Sequence, residues 1–124
     1  MGSDTSQERR QSKRFPVGDG AFVCLTSSGR RLWHILDIAI GGLSFRYVPA
    51  LESMEGISEL EIVTRDASFS LEKVPFQTVS DIELKDRVGN NFKLNRCGVK
   101  FGSLTQPQAA RLEGFLIRYS AGAA

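Results

Sequence analysis

The sequence predicts a small, mostly β protein, either a barrel or a sandwich, that ends in one helix. From Ala21 onward, short apolar runs alternate with turn residues, a pattern typical of many short strands. No helical segments alternate with these runs, which argues against a parallel nucleotide-binding sheet. The length of 124 residues fits one domain, and a hydrophobic fraction of 41% suffices for a modest core.

The strands are predicted from apolar runs bounded by turn signals such as Gly41-Gly42. In chain order they are Ala21–Thr26, Arg31–Ile38, Leu43–Tyr47, Ser58–Val63, Phe69–Thr78, Ser80–Leu84 and Phe92–Phe101. The fifth and sixth runs are alternatively one long bent strand, interrupted at Pro75.

One helix is predicted after the last strand. Thr105 and Gln108 have the spacing of a capping box, and Pro107 suits a first helical turn. Apolar residues then recur at i, i+3, i+4 and i+7, which predicts one buried stripe. The stripe consists of Leu112, Phe115, Leu116 and Tyr119.

The composition divides the chain into three parts. Residues 1–20 are polar, lack periodicity and predict a flexible N-terminal arm. Residues 21–119 hold the predicted strands and the helix, and residues 120–124 predict a short tail.

Charge and cysteine content bound the function. The formal net charge is only +2, so an anion site requires local clustering of basic residues. Cys24 and Cys97 lie far apart and outside any CxxC spacing, which predicts two buried, reduced thiols and no metal site. No signal-peptide pattern and no membrane-length apolar run are present, so we expect a cytoplasmic protein without membrane insertion.

The arm carries a cluster of basic residues. Arg10 and Arg14 are four residues apart, which places both side chains on one side of an extended or helical segment. The guanidinium fork binds phosphate, or the O6/N7 edge of guanine, in bidentate fashion. The pair therefore predicts an anion or guanine clamp, and the alternative is a solvated basic tail.

A second candidate motif begins at the end of the second predicted strand. Asp37-x-Ala39-x-x-Gly42 places an acid at the strand end and a glycine in the turn. The carboxylate can accept hydrogen bonds from guanine N1–H and N2–H₂, and glycine permits positive φ and close approach of a ligand. The alternative is a hairpin turn capped by Asp37.

Taken together, the two motifs resemble the PilZ domain family. The flanking residues resemble it as well, and the resemblance extends roughly from Glu8 to Tyr119. These flanking segments are Glu8-Arg9-Arg10, Phe15-Pro16-Val17, Gly41-Gly42-Leu43-Ser44-Phe45 and Cys97-Gly98-Val99-Lys100-Phe101, with Leu104-Thr105 opening the helix.

The resemblance implies a six-stranded antiparallel β-barrel with a C-terminal α-helix that binds cyclic di-GMP. Arg10 and Arg14 would then grip guanines and phosphates, with Arg9 as an auxiliary phosphate contact. Asp37, Ala39 and Gly42 would form the opposite wall of the site. Ala39 stands where many family members have serine, so a hydroxyl contact is absent there.

These features predict a signalling receptor rather than an enzyme. Cyclic di-GMP would be a ligand and not a cofactor, and its binding would order the arm and create a surface for a downstream protein partner. His34 is the one histidine of the sequence, and nothing indicates a catalytic triad around it.

Two other functions are compatible with a small barrel. One is a PilZ-like protein-interaction adaptor that binds the nucleotide weakly or not at all. The other is a single-strand nucleic-acid barrel, which would require basic residues interleaved with exposed aromatics across its strands. The basic cluster lies in the arm instead, so no nucleic acid polymer is expected as a partner. Four acids are predicted to form a solvated rim: Glu52, Glu55, Glu59 and Glu61.

Overall fold

A computed structural model describes residues 15–16, 20–25, 31–88 and 92–123, and the side chains of 20–25, 31–85 and 92–118. These residues form seven strands and one helix. The elements are β1 (Phe15–Pro16), β2 (Ala21–Leu25), β3 (Leu32–Ala39), β4 (Gly42–Tyr47), β5 (Glu59–Thr64), β6 (Ser70–Val88), β7 (Phe92–Phe101) and α1 (Gln106–Ala123).

Six of the strands close into an antiparallel barrel. Around the barrel the order is β3, β2, β5, β6, β7 and β4, and β4 pairs again with β3. The two-residue strand β1 lies outside this ring and pairs with the second half of β3, while β2 pairs with the first half. The predicted six-stranded barrel with a C-terminal helix is therefore confirmed.

The long strand β6 decides between the two sequence interpretations of this region. Ser70–Val88 is one strand, so the interruption predicted at Pro75 is wrong. Pro75 is the last residue of β6 that pairs with β5, and Phe76 is the first that pairs with β7. The missing amide N–H of Pro75 thus lies where β6 changes its pairing partner. The β6–β7 register shifts between Thr78 and Ser80, which leaves Val79 as the extra residue of a β-bulge.

The barrel interior is filled by the side chains that point inward at every second residue of the strands. In β4, Leu43, Phe45 and Tyr47 are buried in the core, while Ser44 and Arg46 alternate with them on the outer face. Phe45 is the largest side chain that is fully buried. This alternation fixes which residues can form an external site.

The helix α1 begins as the sequence predicts. The Thr105 amide donates to Gln108 Oε1 at 2.9 Å, and the Gln108 amide donates to Thr105 Oγ1 at 3.2 Å, which confirms the capping box. Leu112, Phe115 and Leu116 are buried against the barrel. The side chain of Tyr119 lies outside the described residues. The helix continues to Ala123, so residues 120–123, predicted as a tail, are helical.

The burial of Glu52 shows that the prediction of a solvated acidic rim is wrong for this residue. Its side chain is only 4% exposed, and its Oε1 accepts a hydrogen bond from Trp33 Nε1 at 2.8 Å. The indole packs edge-on against Tyr47. A polar residue in the long connection between β4 and β5 is therefore part of the packing at one barrel end, because it satisfies the indole N–H.

Alanine is expected to have very different effects on stability at two adjacent glycines. A Cβ at Gly42 would lie 2.1 Å from the backbone oxygen of Val99, whereas a Cβ at Gly41 would meet nothing within 4 Å. Neither glycine has a positive φ. Gly42→Ala should therefore lower the free energy of unfolding by about 2 kcal/mol or more, and Gly41→Ala should change it by less than about 0.5 kcal/mol. Urea denaturation of both variants measures this, and equal stability of the two would contradict the β4–β7 packing.

Candidate functional site on the outer face of the barrel

A β-bulge in β3 turns Asp37 toward the outside of the barrel. Ile35 and Ile38 are both buried in the core, although they are three positions apart and a regular strand returns to the same face every two residues. The register shift between Ile35 and Asp37 absorbs the extra residue. Asp37 therefore lies on the outer face, directly opposite Ser44 of β4, with its side chain 19% exposed.

Asp37 forms an ion pair with an arginine of β7, which is distant in sequence. Arg96 Nη2 lies 2.8 Å from Asp37 Oδ2 and donates a second hydrogen bond to Ser44 Oγ at 3.3 Å. The two charged residues are 59 positions apart in sequence and are brought together by the order β3, β4, β7. Ser44 is only 3% exposed and lies in contact with the guanidinium.

Basic side chains surround this ion pair on the same face. Arg46 and Arg96 are cross-strand partners in the β4–β7 register, and Lys100 pairs with Gly42 four residues further along the same two strands. All three basic residues are exposed. Because like charges on neighbouring strands repel, this arrangement favours an anion between or beside them.

The strand β1 brings the arm to Asp37. Pro16 pairs with Asp37, and Phe15 pairs with Ile38. Arg14 directly precedes Phe15 in sequence, and Cα atoms of consecutive residues are about 3.8 Å apart. The predicted ligand residues Arg9, Arg10 and Arg14 themselves lie outside the described residues.

Ala39 and Gly42 face each other at the hairpin that joins β3 and β4. Ala39 is 2% exposed, and Gly42 lies against the Val99 carbonyl. The need for glycine at position 42 is therefore explained by packing of β4 on β7. Gly42 does not have a positive φ, so the prediction that this glycine serves a positive-φ turn is wrong.

Sequence reasoning missed Arg96, Arg46 and Lys100. The signal for Arg46 lies in the alternation of β4 and that for Arg96 and Lys100 in the alternation of β7, where Cys97, Val99 and Phe101 face inward. That alternation indicates which face the basic residues occupy, but only the strand register shows that this is also the face of Asp37.

Two further ionisable groups, Tyr47 and Cys97, are buried in the barrel core. The Tyr47 hydroxyl donates a hydrogen bond to Asp81 Oδ2 at 2.7 Å. Burial is the main cause of the raised pKa of Tyr47, and this hydrogen bond raises it further. Burial raises the pKa of the Cys97 thiol to about 11, which keeps it protonated and unreactive near neutral pH. Cys24 and Cys97 are both buried and free of disulfides. Within the described ranges, no three potential metal-ligating side chains cluster.

A separate groove lies elsewhere on the molecule. It has a volume of about 760 Å³ and runs between the start of α1 and strands β5 and β6. Glu59, Glu72, Lys73 and Arg111 are among its lining residues, and neither Asp37 nor Arg96 lines it.

Across the described helix, no segment is long and apolar enough to cross a membrane.

Two solved structures share this architecture. The chain is similar to MrkH, described as a c-di-GMP-dependent transcription regulatory factor, with a TM-score of 0.66 and 16% identity over 89% of this chain and 50% of MrkH. It is also similar to the PilZ domain of YcgR from Escherichia coli, solved with c-di-GMP, with a TM-score of 0.63 and 16% identity over 93% of this chain and 94% of that domain.

The fold is therefore PilZ-like. The chain spans about half the length of MrkH. No protein-family model and no curated protein matches the sequence.

Proposed function

We propose that this chain is a receptor for cyclic di-GMP that binds the nucleotide between the N-terminal arm and the outer face of β3, β4 and β7. One observation carries the proposal. Pro16 of β1, which is two residues after Arg14, pairs with Asp37 of β3. Because Arg14 immediately precedes β1 in sequence, the Arg10-x-x-x-Arg14 motif would enter the site beside the carboxylate with which it would share a ligand.

The chemistry of this face suits the nucleotide. Cyclic di-GMP carries two guanines and two phosphates. The Asp37 carboxylate can accept hydrogen bonds from a guanine Watson–Crick edge, and arginine forks can bind phosphate or guanine O6/N7. Arg46 and Lys100 add positive potential on the barrel itself.

The structural neighbours support the same ligand. Both MrkH and the YcgR domain are named for c-di-GMP dependence or binding. At 16% identity these two structures establish a shared fold only. The same ligand is proposed for this chain because the Asp37 face and the arginine motif also support it.

In this function the arm supplies the signal. Residues 1–14 contain too little apolar surface to pack alone, and ordering each backbone residue costs about 1–2 kcal/mol. Ligand contacts from Arg9, Arg10 and Arg14 would offset that cost and fix the arm across the barrel. The ordered arm would form a surface for a downstream protein partner in the cytoplasm, with no reaction catalysed.

Isothermal titration of the purified chain with cyclic di-GMP tests the proposal, with GTP and cyclic GMP as controls. We expect saturable binding of cyclic di-GMP and much weaker binding of both controls. Affinity should fall only moderately with salt, because two phosphates involve few counterions compared with a polynucleotide. An absence of heat would favour the adaptor function. Displacement by a single-stranded oligonucleotide with a steep salt dependence would favour a nucleic-acid barrel.

A further inference from the structure

We propose that Arg96 is a positioning residue of the ligand site, which fixes the Asp37 carboxylate for recognition of guanine. This inference rests on the proposed cyclic di-GMP function and extends it to a residue of β7. Neither sequence motif contains Arg96, which lies 54 positions after Gly42 (96 − 42).

The geometry allows the carboxylate to serve both groups. Arg96 Nη2 donates to Asp37 Oδ2 at 2.8 Å. Each carboxylate oxygen has two lone pairs, so Oδ2 can accept from Arg96 and from a guanine donor together. The ion pair therefore orients the Asp37 carboxylate, whose other acceptor positions would be taken by the guanine N1–H and N2–H₂ when the ligand binds.

Ser44 makes this support rigid. The same Arg96 nitrogen donates to Ser44 Oγ at 3.3 Å, and Ser44 is almost completely buried between β3 and β7. The guanidinium is thus held by groups on two strands, and Asp37 is held by the guanidinium. An acid set in place before the ligand arrives loses less side-chain freedom on binding.

A purely structural ion pair does not account for the surroundings. Arg96 is 46% exposed at its side chain, and exposed ion pairs add little to folding stability. Arg46 lies directly across from Arg96, so the pair adds like-charge repulsion to this face. Placing two arginines and one acid here favours an anionic, guanine-bearing ligand.

The first test compares Arg96→Gln with a matched control on the same strand. Lys93→Gln removes an exposed basic residue whose Nζ lies 3.9 Å from Glu83. Loss of an orienting partner costs about 10- to 100-fold in metal sites, and we expect Arg96→Gln to weaken cyclic di-GMP binding about tenfold. Lys93→Gln should retain wild-type affinity. Thermal unfolding of both variants should match the wild type, which separates a binding defect from loss of the fold.

The second test is a double-mutant cycle with Asp37→Asn, measured by titration with cyclic di-GMP. If Arg96 acts through Asp37, then Arg96→Gln should reduce affinity by less than about threefold further in the Asp37→Asn background, because coupled residues are not additive. A full tenfold loss in that background would mean that Arg96 acts independently of Asp37, and it would overturn the positioning role.

The remaining outcomes separate the two proposals. Tighter or unchanged binding by folded Arg96→Gln would show that Arg96 competes with the ligand or is irrelevant, and the inference would be wrong while the receptor function stands. A wild-type chain that does not bind cyclic di-GMP would remove the receptor function itself.

Discussion

Replacing Arg14 or Arg10 by alanine is expected to weaken cyclic di-GMP binding at least about tenfold, and replacing both should weaken it about 100-fold. Each lost bidentate contact costs roughly 1–3 kcal/mol, and 1.4 kcal/mol corresponds to about a factor of ten. Both residues precede β1, so the six barrel strands keep their sequence. Titration calorimetry measures the affinities, and circular dichroism checks the fold.

The arm offers matched controls for this prediction. Lys13→Ala removes the same charge one residue before Arg14 and should change affinity less than about threefold, within the range of a single screened charge. Arg14→Lys keeps the charge but lacks the planar fork, so it should resemble Arg14→Ala more than wild type. Equal losses for Lys13→Ala and Arg14→Ala would show that bulk charge, and not a clamp, attracts the ligand.

The largest effect on stability is expected for Phe45→Ala. Phe45 is fully buried at the centre of β4 and packs against Tyr47 with a ring-centroid distance of 5.8 Å. Removing such a ring from a core lowers the free energy of unfolding by about 3–5 kcal/mol. The neighbouring residue Ser44 lies on the site face, so loosening β4 should also weaken ligand binding. Urea denaturation measures the first effect.

Phe92→Ala is the matched control for this core substitution. Phe92 opens β7 and is 41% exposed, so its loss should cost less than about 1 kcal/mol. A comparable destabilisation by both variants would contradict the assignment of Phe45 to the core.

Much of the fold is predictable from local sequence patterns. Alternation and turn residues predict Phe92–Phe101 with its observed bounds, and they place β2 to β5 within one residue at each end. The capping box at Thr105 is also predictable, since it needs only residues three apart. The motif Asp37-x-Ala39-x-x-Gly42 correctly indicates a strand end and a hairpin.

The rest depends on contacts between distant strands. The Asp37–Arg96 pair requires the register of β3, β4 and β7, and a one-residue slip would place Arg96 on the opposite face. Glu52 is buried because Trp33 supplies a hydrogen-bond donor, which composition cannot indicate. Gly42 is required by the Val99 carbonyl, 57 residues away (99 − 42).

Hydrogen exchange of the free and the cyclic di-GMP-bound chain tests the central claim most directly, because it shows where the ligand binds. We predict slowed exchange over residues 8–14 and 37–42 on binding, rapid exchange of residues 8–14 without ligand, and no change in α1 around Leu112–Leu116. Protection confined to the groove between α1 and β5–β6, or an arm equally protected in both states, would contradict the account.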